Sequence, residues 1–189
     1  KTGELITLSQ SFDCYQKEEL KLKSYNSIEP KYNMYFKNFV LPIILNALFC
    51  NCMILGEGAI ERKVFDVYLL KYASTMQRND VSYAIVDGKI FFPLVISVLK
   101  KIGTKVITIH DLDDESDPAH AYLNNVIKQL SDEVITFKPK IEKFLGITKD
   151  MCNGKYRESI ILINEFYLDD NEKLNQLLEL IDKAIEKIN

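Results

Sequence analysis

The sequence predicts an α/β fold: a Rossmann-like parallel four-stranded sheet flanked by helices, with extra helices at the carboxyl end. Two observations predict it. From Cys52 onward, short apolar runs alternate with helical patterns of roughly four turns. The runs "CMIL", "VSYAIV", "KVITIH" and "EVITF" are nearly continuous in apolar or β-branched residues, as strands buried on both faces of a parallel sheet must be.

Taken in order, "KTGELITLSQ" reads as one short strand, followed by a polar, Lys- and Tyr-rich segment to about Tyr32. "YNMYFKNFVLPIILNALF" has the apolar density of a buried helix, with Pro42 marking either a kink or the true start. After the strand "CMIL" comes "AIERKVFDVYLLKYA", an amphipathic helix whose inner face is expected to hold Ile60, Val64, Val67 and the Leu69–Leu70 pair. "VSYAIV" is the second strand and "DGK" its turn. "IFFPLVISVLKKI" is a helix stopped by Gly103. "KVITIH" is the third strand. The acidic loop "DLDDESDP" follows, with Pro118 in the first turn of the helix "AHAYLNNVIKQL". "EVITF" is the fourth strand. A short helix in "PKIEKFLGI", another in "KYRESIILINEF" and a charged amphipathic helix from about Asp169 complete the chain. That last helix carries Leu174, Leu177, Leu178, Ile181, Ile185 and Ile188 on one stripe, which suits packing against the domain.

Composition narrows the function classes. A chain of 189 residues is long enough to bury a core. A net charge of −3 gives no whole-chain signature of nucleic-acid binding, so a metal, a local basic patch or another domain would have to supply the attraction. Cys14, Cys50, Cys52 and Cys152 lack zinc-type or redox spacing and read as reduced, mostly buried thiols of a cytoplasmic protein. The longest apolar run, "FVLPIILNALFCNCMIL", is broken by Pro42, Asn46 and Asn51, so no membrane span is expected. The chain opens on Lys1 and not on Met, as expected of a piece of a longer protein.

Chemistry points to the carboxyl ends of the strands, where parallel α/β sheets bind ligands. Glu57 stands between Gly56 and Gly58 after the first strand. Asp111, Asp113, Asp114, Glu115 and Asp117 follow the third. If those strands are neighbours, Glu57, Asp111 and Asp113 converge, and carboxylates so crowded need a counter-charge. A hard divalent cation such as Mg²⁺, Mn²⁺ or Ca²⁺ suits oxygen ligands. The bland alternative is a solvated loop that caps the next helix. A dinucleotide site is rejected, because "GEGAIE" has Glu61 where G-x-G-x-x-G needs its last glycine, and Glu57 would repel a pyrophosphate. Glu61 itself has two readings, a metal ligand or a first-turn acid favoured by the helix dipole. His110, ahead of the acidic loop, suits orienting or packing better than proton transfer, and His120 reads as exposed helix.

These residues resemble the Toprim domain, the metal-dependent nucleotidyl-transfer module marked by a glutamate after its first strand and Asp-x-Asp after its third: here Glu57 in "ILGEG" and Asp111/Asp113 in "ITIHDLDD". The finer pattern is similar to the overcoming-lysogenization-defect family, which joins an ABC-type ATPase to a C-terminal Toprim nuclease. "ALFCNCMILGEGAIE" matches its helix, strand, "EG" and second Glu (Glu61), and "VDGKIFF" matches its Gly-Lys turn. "VLKKIGTKVITIHD" matches the approach to Asp-x-Asp, with Ile102 in place of leucine. "PKIEKFLG" keeps an acid as Glu142, with Lys140 where the family has a hydroxyl, and "NGKYRES" offers Lys155. The resemblance covers about Lys37 to Leu162. It implies two Mg²⁺ or Mn²⁺ ions held by Glu57, Glu61, Asp111, Asp113 and Glu142, with Lys155 stabilising charge at the scissile phosphate. Residues 1–50 would be the tail of a preceding ATPase domain or an N-terminal extension, 51–146 the catalytic core and 147–189 a helical part. The implied activity is endonucleolytic cleavage or nicking of DNA in repair or phage defence. An ATPase domain upstream in the same chain would be the partner, with homo-oligomers possible through it. A Toprim enzyme acting on RNA and a degenerate, non-catalytic module used for assembly or regulation are the alternatives.

Overall fold

The computed structural model describes Met34 and residues 36–78, 80–148 and 156–188. The strand expected at the amino terminus, the segment to Tyr32 and the candidate Lys155 lie outside the described residues.

Four parallel strands form one sheet: β1 Cys52–Gly56, β2 Val81–Ile85, β3 Lys105–Asp111 and β4 Glu133–Phe137. Their spatial order is β2-β1-β3-β4. Around them lie α1 Leu41–Ala47, α2 Ala59–Arg78, α3 Phe92–Lys101, α4 Pro118–Leu130, α5 Ile141–Leu145, α6 Tyr156–Leu168 and α7 Glu172–Ile188. This is the predicted α/β fold. The order also meets the condition on which the site depended, because β1 and β3 pair directly and Gly56 lies opposite Ile109.

Strand alternation explains why the apolar runs are continuous. Cys52 and Ile54 of β1 join Ile107, Ile109, Ile135 and Phe137 beneath α2, α5 and α7. Met53 and Leu55 join Val106, Phe92, Ile96 and Leu99 on the opposite face, toward α1 and α3. Both faces of the sheet are covered, so neither set can be polar. Cys52 is a free, fully buried thiol, and burial pushes its pKa up to about 12.

Local signals set the helix ends. Pro42 stands in the first turn of α1, which a π-helical turn, Phe36–Val40, precedes, so the proline begins the α-helix. Pro118 opens α4, where the Asp117 carboxylate accepts from the Ala119 N–H at 2.8 Å. Gly103 follows α3 with φ 81°, a left-handed terminus that a side chain would strain.

One expectation is corrected. On α2, Ile60, Val64 and Val67 are buried as predicted, yet Leu69 and Leu70 turn outward, and Phe65 and Tyr68 take the inner positions. The helix packs against α6 and α7 as well as β2, so its buried stripe widens toward residues 65 and 68. The Tyr68 hydroxyl donates to Asp182 of α7 at 2.9 Å, and burial raises its pKa. On α7 the predicted stripe is internal from Leu174 to Ile185. Among the described residues no helix is long and apolar enough to cross a membrane.

Candidate metal centre

The carboxyl ends of β1 and β3 bring the sequence-predicted acids to one edge. Gly56, the last residue of β1, lies where a Cβ would stand 2.7 Å from Glu61 Cβ and 2.9 Å from both Ile85 Cδ1 and Phe65 Cε2. Glycine is required here because α2 crosses directly over the strand end. The chain then turns, and the Gly58 carbonyl accepts from the Arg62 N–H to open α2.

Glu61 is 4% exposed, and its Oε2 accepts the Gly58 N–H at 2.9 Å. This is the reciprocal half of a capping box, with the acid in the third helical position reaching back to the cap residue. Burial first, then the charges of Asp111 and Glu57, push its pKa up to about 7 against the pull of those backbone donors. The first-turn role thus has a direct observation behind it, while the carboxylate also faces the acidic edge.

Asp111 ends β3, and its Oδ1 accepts the Ile141 N–H at the start of α5, at 2.8 Å. Lys140, at the cap position of that helix, makes no side-chain capping bond, and Asp111 satisfies the N–H of the first helical residue from outside the helix. Burial raises the Asp111 pKa to about 7; the Ile141 N–H opposes this, and Glu142, Glu57 and Asp113 add to it. Burial raises Glu57 as well, partly offset by the nearby Lys89 ammonium. Glu57 Oε2 and Glu142 Oε2 are buried with no hydrogen-bond partner among the described residues.

A cavity of about 290 Å³ opens between these groups, lined by Glu57, Glu61, Asp87, Asp111, Lys140 and Glu142 among others. A larger one, about 560 Å³, lies at the opposite, amino-terminal edge of the sheet, between Phe49, Leu69 and Val81, and has a single carboxylate, Asp80. The smaller cavity is the one that gathers carboxylates, with Glu57, Glu61, Asp87, Asp111 and Glu142 in its lining.

Asp113 does not line that cavity. Its φ of 56° turns the chain away, its N–H donates to the Pro139 carbonyl at 3.0 Å, and its Oδ2 lies 2.6 Å from Lys89 Nζ. His120 Nδ1 stands 3.7 Å from the same oxygen, and Lys140 Nζ 3.9 Å from Oδ1. The rest of the acidic loop serves local structure: Asp114 accepts from Ser116, Glu115 pairs with Lys138, and Asp117 caps α4. His110 is fully buried and tilted against the Phe92 ring, and burial lowers its pKa to about 4, so it packs as a neutral side chain. Sequence reasoning marked Lys89 only as part of the Gly-Lys turn that the resemblance matches and passed over Asp87, although both follow the carboxyl end of β2, the next strand along the same edge.

Among the described residues, no three His, Cys, Asp or Glu side chains are arranged to hold an ion as they stand. Their chemistry nevertheless fits one: hard oxygen donors converge from three elements, two of those oxygens are buried without partners, and a cavity separates them.

A parallel sheet with carboxylates gathered at its carboxyl edge belongs to the class of α/β folds that bind ligands beyond the carboxyl ends of their strands. Within that class, residues 48–113 match the family model described as overcoming lysogenization defect protein-like, TOPRIM domain. That span runs from the end of α1 through Asp113, and over it the chain is similar to an OLD-like Toprim domain. Toprim domains carry out metal-dependent nucleotidyl and phosphodiester chemistry and bind divalent ions. No curated protein matches the chain.

Proposed function

We propose that the chain is the nuclease part of an ATPase-linked protein that cleaves or nicks DNA with Mg²⁺ or Mn²⁺, in DNA repair or phage defence. One observation carries the proposal: Glu57, Asp111 and Glu142 converge on one cavity, with two buried carboxylate oxygens lacking partners. Glu57, Asp111 and Glu142 would hold the cation. Glu61 would act from behind, with its Oε2 fixed on the Gly58 N–H. Asp113 would join only on release from Lys89. A divalent ion bound there supplies Lewis-acid stabilisation of phosphoryl charge and lowers the pKa of an attacking water. The half-exposed Lys140 at the cavity rim would meet the phosphate backbone, locally offsetting the negative charge of the chain. Lys155, as the resemblance implies, would add charge stabilisation at the scissile group.

The test is supercoiled plasmid incubated with Mg²⁺ or Mn²⁺, comparing wild type with Glu57→Ala and Asp111→Ala, beside a labelled RNA of similar length. Nicked or linear DNA from wild type alone is expected. Cleavage retained by both variants removes these residues from the site. Cleavage of RNA alone redirects the substrate. The Lys89–Asp113 pair gives a specific ground for a second reading, a Toprim module used for assembly without catalysis, and wild type inert on both polymers favours it.

A further inference from the structure

Among the described residues, Lys89 is the buried cation. Its side chain is 6% exposed, while Ile90 beside it is 69% exposed. The chain turns a lysine inward and an isoleucine outward, the reverse of what burial favours, so the inward lysine needs a reason. Local geometry produces the inversion. Asp87 and Gly88 both adopt positive φ, 58° and 125°, and the Gly88 N–H donates to the Glu57 carbonyl at 3.1 Å. Val86 N–H likewise donates to the Gly56 carbonyl at 2.9 Å. The loop is therefore fastened to the end of β1, and the 3₁₀ turn Lys89–Phe91 delivers the ammonium beside the acids. Asp113 reaches it from the other side through its own left-handed residue.

We propose that Lys89 is a built-in counter-cation of the acidic edge, which neutralises Asp113 in the metal-free protein and competes with a divalent ion for that carboxylate. This rests on the metal-dependent reading given above. The ammonium also favours the ionised form of Glu57, so it acts on both strand-end acids. A direct role on substrate phosphate fits Lys89 poorly, because Asp113 covers the nitrogen and little of the side chain reaches solvent. Lys140, 59% exposed at the rim, is the lysine open to a polymer. Such a pair is costly to break from the Asp113 side, since Lys89 left alone is a desolvated charge, while Asp113 keeps Lys140 3.9 Å away.

The experiment uses the full chain in two measurements: thermal melts in EDTA, and Mn²⁺ titration followed by the electron paramagnetic resonance signal of the free ion. The proteins are wild type, Lys89→Met, Asp113→Asn and the double variant. In EDTA each single variant is expected to melt several degrees below wild type, and the double variant to recover part of that loss. Lys89→Met is expected to bind Mn²⁺ about tenfold tighter, because a fixed positive charge close to the incoming ion has gone. Unchanged Mn²⁺ affinity in Lys89→Met overturns the inference while leaving the metal site standing. Mn²⁺ bound by neither protein removes the metal site itself, and the proposed reaction with it. Should Lys89→Met fail to fold, Asp113→Asn carries the test: a melt equal to wild type in EDTA would show that Lys89 needs no partner and overturn the pairing.

Discussion

Replacing Asp111 with asparagine is expected to stabilise the metal-free protein while removing the proposed activity. At pH 8 the buried carboxylate of Asp111 is ionised against its own preference, since its pKa in the fold is about 7. Its ordinary value is 3.8. A carboxyl whose pKa is raised by folding contributes stability below its unfolded value and loses it as the pH climbs through its folded value. The gap between the folded and ordinary values sets an upper bound of about 4 kcal/mol at pH 8. Partial exposure of the side chain and relaxation around it reduce this to about 1–2 kcal/mol. Asparagine keeps an oxygen for the Ile141 N–H, so the start of α5 stays satisfied. For a chain of this size the gain corresponds to a melting temperature higher by roughly 3–6 °C. The assay is calorimetry or circular dichroism of wild type and Asp111→Asn in EDTA at pH 5 and pH 8. The advantage of the variant should be clearly larger at pH 8 than at pH 5, because the cost to wild type accumulates as the pH climbs from 3.8 to about 7. A variant less stable than wild type at pH 8, or an advantage independent of pH, would refute the electrostatic argument.

Two further outcomes concern the frame that holds the site. Gly56→Ala would put a methyl 2.7 Å from Glu61 Cβ, and overpacking of this kind costs about 1–3 kcal/mol. A urea melt should show that loss, and Mn²⁺ affinity should weaken with it, because Glu61 and the end of β1 must move apart; an unchanged midpoint would mean that α2 yields freely. Leu178→Ala empties a fully buried position on α7 and should cost about 2–5 kcal/mol, read as a lower urea midpoint with an unchanged slope. A loss below about 0.5 kcal/mol would place α7 outside the cooperative core.

The strands were legible because each must be apolar on both faces, and glycine, proline and acidic turns punctuate them. Glu57 was legible for the same reason, as an acid closing a run that nothing else polar interrupts. The inner stripe of α2 was harder, because its position depends on α6 and α7, whose docking no local window contains. Phe65 and Tyr68 could be placed only once those partners were known. Lys89 was hidden by its own chemistry: a lysine in a turn is ordinarily solvated, and only the fastening of that turn to Glu57 buries it.

Asp111 and Asp113 make the sharpest case. Both acids read as part of the loop after the third strand, and the resemblance to Asp-x-Asp implied one shared metal set. The strand, however, ends at Asp111, which is the last rung opposite Phe137 of β4. Leu112 still donates to the Phe137 carbonyl, but Asp113 has left-handed backbone angles that break the alternation. One carboxylate therefore lines the cavity with Glu57 and Glu142, and the other meets Lys89 outside it. Sequence spacing specifies that two acids arrive at the edge. Which of them meets the cavity is decided by a single backbone rotation, at a residue type that tolerates the left-handed region better than most. Aspartate is suited to both conformations, so the proposed exchange of Lys89 for a divalent ion would call on the backbone of Asp113 itself.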